Sequence, residues 1–129
     1  MQYLLTDFQN ETAPYAYWDN AFTNDELNYI QQLAVQKTNQ PAVVGGQGNG
    51  IMDSSIRRSS VGWLEMSNEH RWIFDKLAYV VSSINSSIYR YDLTGFGEAL
   101  QLTNYNQNDM GMYSWHQDFG GTVSRKLSL

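Results

Sequence analysis

Apolar and polar positions follow two different rhythms along this chain. Between residues 24 and 37, Leu27, Ile30, Leu33 and Ala34 recur at helical spacing. Thr23 stands three residues before Glu26, the signature of a capping box, and Asp25 adds a carboxylate to the first turn. The pattern predicts a helix from about residue 24 to 37. A second one, from about 68 to 89, is predicted behind Ser67-Asn68-Glu69, where Trp72, Ile73, Leu77, Val80, Val81, Ile84 and Ile88 form one broad apolar face. Elsewhere the rhythm is that of strands: Tyr15 to Trp18, Ile56 to Leu64, Ala99 to Tyr105, Met112 to Asp118 and Val123 to Leu129. Asn106-Gln107-Asn108-Asp109 with Gly111, and then Gly120-Gly121, separate the last three. Helices come early and closely spaced strands late. That order implies an α+β domain, or a barrel-like β core with helices packed outside it.

Residues 38–55 are polar and rich in glycine, with Gly45, Gly46, Gly48 and Gly50 close together. A phosphate-binding loop needs Lys and Ser/Thr after its glycines, whereas Ile51-Met52-Asp53 follows here. The stretch reads as a mobile connection at the rim of the site described below. At the other end, the last strand pattern runs to Ser128-Leu129 with no turn or polar tail, and three late strands are too few to close a barrel. The expectation is that the 129 residues are the N-terminal part of a longer polypeptide.

Composition narrows the chemistry. With no cysteine, thiolate zinc sites, iron–sulfur clusters, disulfides and cysteine nucleophiles are excluded. The lack of cysteine also fits a reducing, cytoplasmic compartment. A net charge of −5 argues against extended nucleic acid as a partner. Aromatics make up 14% of the residues and charged residues only 16%, a balance that favours a folded core over disorder. No apolar run approaches the roughly 20 residues of a membrane span, and the first residues lack the pattern of a signal peptide.

The candidate chemistry lies in Tyr113-Ser114-Trp115-His116-Gln117-Asp118. In a continuous strand Ser114, His116 and Asp118 share one face, with Tyr113 and Trp115 on the other. An imidazole and a carboxylate side by side are two thirds of the 2-His-1-carboxylate triad that holds non-haem Fe(II) and leaves positions open. From spacing alone, a surface histidine hydrogen-bonded to a nearby aspartate is the commoner arrangement. His70, the other histidine, reads as a solvated residue in the first turn of the second helix. Arg125 and Lys126 read as sheet-edge cations.

Leu100 to Asn106, then Gly111 to Asp118, then Ser124-Arg125-Lys126-Leu127-Ser128 together resemble the prolyl-4-hydroxylase-like branch of the 2-oxoglutarate/Fe(II) dioxygenases, closest to the PKHD-type hydroxylases. Arg57-Arg58-Ser59, Trp63-Leu64 and Trp72 are similar to that group's leader region. The resemblance implies a single domain over 1–129, with a helical leader (1–98) and the first core strands (99–129) of a jelly roll. The implied reaction decarboxylates 2-oxoglutarate to succinate while O2 and Fe(II) hydroxylate an unactivated C–H bond, with ascorbate as an optional reductant. His116 and Asp118 correspond to the first two metal ligands. Tyr105 corresponds to the tyrosine that faces the cosubstrate pocket, although it reads equally well as a half-buried barrel aromatic. The family's second histidine, and beyond it the basic residue that anchors 2-oxoglutarate, lie tens of residues past Asp118, so residues 1–129 by themselves are expected not to turn over. The strand carrying His116 and Asp118 is expected to pair antiparallel with the one ending at Leu129, around a concave face lined by Tyr105 and by Trp115 or Tyr113. The resemblance points to a peptidyl, prolyl-type substrate, and a small molecule stays open. Two other readings remain: a non-catalytic jelly-roll binding module, and a cupin-like metal enzyme that does not use 2-oxoglutarate.

Overall fold

The computed structural model describes residues 13–44, 52–116 and 125–129. Helix α1 spans Asn24–Lys37, as its periodicity predicts. Its start is fixed by the capping box: the Glu26 amide donates to Thr23 Oγ1 and the Thr23 amide to Glu26 Oε2. Short strand β1 (Gln40–Pro41) follows, then β2 (Arg57–Arg58), β3 (Ser60–Leu64), helix α2 (Arg71–Ile84), β4 (Leu100–Asn104) and β5 (Met112–Tyr113).

The fold is α+β. Strands β1, β3 and β4 form an antiparallel sheet with β3 in the middle, and β2 pairs antiparallel with β5 in a second, two-stranded sheet. Among the described residues no barrel closes. In the larger sheet Leu64 lies opposite Leu100, and Gly62 opposite Leu102. Leu64, Ile73 and Phe74 are the buried centre, covered by Tyr29, Ile30 and Leu33 from α1 and by Trp72, Leu77, Leu100 and Leu102. Helix α1 buries no residue completely, so it rides on the edge of this core.

Several sequence expectations need correction. Tyr15 to Trp18 is not a strand: Tyr15 and Tyr17 are exposed, and Trp18 sets its ring edge-on to Tyr79 of α2 at 5.9 Å. The run from Ile56 to Leu64 breaks at Ser59, whose carbonyl accepts the Ala42 amide, so its two halves join different sheets. Helix α2 starts at Arg71, later than predicted, because Ser67 and His70 close a turn ahead of it. At its other end the helix widens into a π-helical turn (Asn85–Tyr89) and stops at Arg90 in the left-handed region, φ 57°. Asn85 seals that end by exchanging two hydrogen bonds with the Tyr91 backbone.

The strand predicted for Met112 to Asp118 ends at Tyr113, and residues 125–129 form no strand. The described partner of β5 is therefore β2, not a segment ending at Leu129. Arg125 is ion-paired with Glu98 rather than placed on a sheet edge. Residues 45–51 and 117–124 lie outside the described residues, and with them the Gly45–Gly50 connection and Asp118.

Candidate functional site

His116 sits just past the end of the small sheet. The β2–β5 ladder sets Arg57 opposite Tyr113 and Arg58 opposite Met112, and the Ser114 amide adds one more bond, to the Ile56 carbonyl at 2.9 Å. Strand β2 is itself anchored, since the Ile56 and Arg57 amides both donate to the Asp53 carbonyl. The Asp53 side chain accepts from the Ser55 hydroxyl and amide, and these bonds hold its carboxyl below the usual range. Arg58 ties the sheet to the turn before β5 by donating from Nε to the Met110 carbonyl at 3.0 Å.

After Ser114 the chain bends at Trp115, and His116 folds back. Its Nδ1 lies 2.8 Å from the Ser114 carbonyl oxygen, and its ring stacks on Tyr113 with centroids 3.6 Å apart and planes 17° apart. Strict alternation, which puts Tyr113 and His116 on opposite faces, is overturned by this bend. Trp115 lines no concave face, because its side chain is fully exposed.

The Ser114 contact decides the chemistry of the imidazole. A carbonyl oxygen only accepts, so Nδ1 carries the proton and the lone pair of the neutral ring resides on Nε2. Metal-binding histidines commonly have this arrangement, one ring nitrogen donating to a carbonyl and the other ligating. The donor chemistry of His116 is therefore that of an imidazole ligand, which suits Fe, Zn, Ni or Cu alike. Among the described residues no group of three His, Cys, Asp or Glu side chains comes together; Asp118 is outside that set.

Tyr105 follows β4 and is half-exposed. Its backbone is close to the start of β5, because the Gly111 amide donates to the Asn106 carbonyl at 2.8 Å across the connecting turn. A hollow of about 240 Å³ elsewhere on the surface is lined by Glu65, Met66, Phe74, Phe96 and Glu98, and neither Tyr105 nor His116 contributes to it.

His70 is not the solvated residue its position predicts. Its side chain is only 12% exposed. Ser67 draws it inward: Ser67 Oγ accepts the His70 amide and lies 3.0 Å from Nδ1. Its Nε2 is buried without a hydrogen-bond partner, 3.9 Å from the nearest Glu69 oxygen. Tyr113 lies inside the candidate motif, but nothing in the sequence marks Arg57 as its partner. Their contact depends on a pairing 56 positions apart, which no sequence window contains.

No family model, curated protein or solved structure matches the chain.

Proposed function

We propose that this chain belongs to an Fe(II)- and 2-oxoglutarate-dependent dioxygenase of the cytoplasm that hydroxylates an unactivated C–H bond, with a peptidyl, prolyl-type side chain as substrate and a jelly roll as its complete core. The observation that supports the reading is the bond from His116 Nδ1 to the Ser114 carbonyl, which puts the proton on Nδ1 and makes Nε2 the basic nitrogen of the neutral ring. His116 would hold the iron through that nitrogen and Asp118 through its carboxylate. The third ligand would be a second histidine, as the resemblance implies. Tyr105 would border the cosubstrate.

Bound Fe(II) supplies the redox chemistry that couples loss of CO2 from 2-oxoglutarate to C–H hydroxylation by O2. What the chain itself does is narrower. The Ser114 carbonyl keeps a proton at Nδ1, and the β2–β5 ladder fixes that carbonyl by holding the amide of the same residue. No helix among the described residues is long and apolar enough to cross a membrane.

The test is succinate release from 2-oxoglutarate by the natural gene product, with and without Fe(II). Release that requires Fe(II) and is abolished in His116→Ala and in Asp118→Ala is the expected result. Unchanged release in Asp118→Ala overturns the assignment. Metal binding at His116 without consumption of 2-oxoglutarate replaces it by a cupin-like enzyme, and neither activity replaces it by a binding module.

A further inference from the structure

His116 is an exposed residue, yet its ring is ordered by the chain before it. The Ser114 carbonyl fixes the tautomer and the Tyr113 ring fixes the plane. Tyr113 in turn carries the Arg57 guanidinium, whose central carbon lies 4.6 Å from the ring centroid. That guanidinium is not a loose surface cation. Its Nε donates to Ser59 Oγ at 2.9 Å, and its Nη2 donates to Gln101 Oε1 at 3.0 Å, on β4 of the larger sheet.

We propose that Arg57 and Tyr113 are positioning residues for His116, a three-layer stack that transmits the rigidity of the larger sheet to the candidate metal ligand. The proposal rests on the dioxygenase reading for the purpose of the ligand, but the stack itself can be tested without it. Three observations carry it. The β2–β5 ladder pairs only two residues on each strand, and so short a ladder is marginal in water without further contacts. Its register puts Arg57 directly opposite Tyr113, so one pair both closes the ladder and builds the stack. Finally, the stack selects the bend. In a strand continued through residue 116, Tyr113 and His116 point to opposite faces, and the contact at 3.6 Å exists only because the chain turns at Trp115.

The Arg57 fork matters as much as its charge. A lysine carries the charge, but it cannot lie flat on the phenol ring while bonding Ser59 and Gln101 together. The ring of Tyr113 matters more than its hydroxyl, because stacking requires only the aromatic face.

The experiment records the ring signals of His116 by NMR in the natural gene product without metal, and then titrates Co(II) as the probe. In the wild type the His116 ring protons are expected upfield, under the ring current of Tyr113, with the Nδ1–H tautomer. Tyr113→Phe is expected to keep both signatures. Tyr113→Leu and Arg57→Met are expected to lose the upfield shift and to weaken Co(II) binding by about 10–100-fold, the usual effect of removing a group that orients a ligand. Trp115→Ala is the control and should change neither. If Tyr113→Leu fails to fold, Arg57→Met and Tyr113→Phe still decide the matter. Wild-type ring shifts and tautomer in Arg57→Met overturn the proposal. So does a lost stack with unchanged Co(II) affinity. Failure of the wild type to bind Co(II) at His116 overturns the dioxygenase reading, while the metal-free spectra still decide whether the stack positions the ring.

Discussion

Lys76 places its ammonium 2.6 Å from both carboxylate oxygens of Glu26. Glu26 is also the residue that closes the capping box of α1, accepting the Thr23 amide at 2.7 Å. One carboxylate therefore finishes one helix and ties it to the other. The Phe22 ring sits beside the same ammonium, 5.2 Å from its centroid.

Those bonds make the carboxyl of Glu26 more acidic than usual, chiefly through Lys76 and next through the Thr23 amide. A group whose pKa falls on folding stabilises the fold above its unfolded pKa, and that stability is lost as the pH drops through the folded value. Glu26→Gln is therefore expected to lower the thermal midpoint at neutral pH, with the gap to wild type closing as the medium is acidified below the ordinary glutamate range. Circular dichroism melts across that range check it; a gap independent of pH would show that the carboxylate charge is not what matters.

Gly62 in the middle of β3 lies against Lys37, the last residue of α1. A Cβ there would lie 2.4 Å from the Lys37 carbonyl oxygen and 2.5 Å from its carbon. Both atoms are backbone, and the same carbonyl already accepts the Asn39 amide, so the neighbour cannot simply turn away. Gly62→Ala is expected to destabilise the protein by about 1–3 kcal/mol, the scale of overpacking, read as a lowered urea midpoint.

The difference between Glu26 and Gly62 shows what a sequence makes legible. The capping box is four residues long, so Thr23 and Glu26 announced α1 and its start. Lys76 lies 50 positions away, and nothing near it marks it as the partner of Glu26. Likewise the α+β class follows from periodicities within single elements, while the break at Ser59 depends on Ala42 reaching its carbonyl from just past β1. His116 was legible as a residue of interest from its motif. Its real environment was not, because alternation assumes a continuous strand and the Ser114 carbonyl is used instead by the imidazole two residues on. His70 departs from its helical position for a similar reason: a local serine, not the helix, decides which way it points.

The core offers a direct comparison within β3. Leu64 is 1% exposed at the centre of the buried cluster, whereas its neighbour Trp63, on the other face, is 45% exposed. Leu64→Ala is expected to cost about 2–5 kcal/mol through lost burial and the cavity left between Ile73 and Phe74. Trp63→Ala should cost clearly less, despite removing more atoms. Denaturant unfolding of the two variants checks the order, and a reversed order would mean that the sheet faces are assigned the wrong way round.

The turn between β4 and β5 permits two substitutions with opposite signs. Met110 adopts φ 48°, in the left-handed region that disfavours a side chain, and its own side chain is 72% exposed. Met110→Gly removes that strain and loses little packing. Against it stands the greater freedom of glycine in the unfolded chain, so a net gain of about 0.5 kcal/mol is expected. Gly111, next along, is crowded instead: a Cβ would lie 2.8 Å from the Asn106 nitrogen and 2.9 Å from the Tyr105 carbonyl carbon. Gly111→Ala must push Tyr105 and Asn106 away from the start of β5, which should destabilise by about 1–3 kcal/mol. The strain does not stop at the turn. The Met110 carbonyl holds Arg58, and Arg58 is paired with Met112 in the small sheet, so moving the turn loosens the ladder that supports His116. Hydrogen exchange at the Ser114 amide, which bonds the Ile56 carbonyl, reads that loosening directly. Exchange is expected to speed up in Gly111→Ala and to stay the same or slow in Met110→Gly. Equal exchange in both variants would mean that the turn and the small sheet open independently, and that Tyr105 and His116 are not held by one unit.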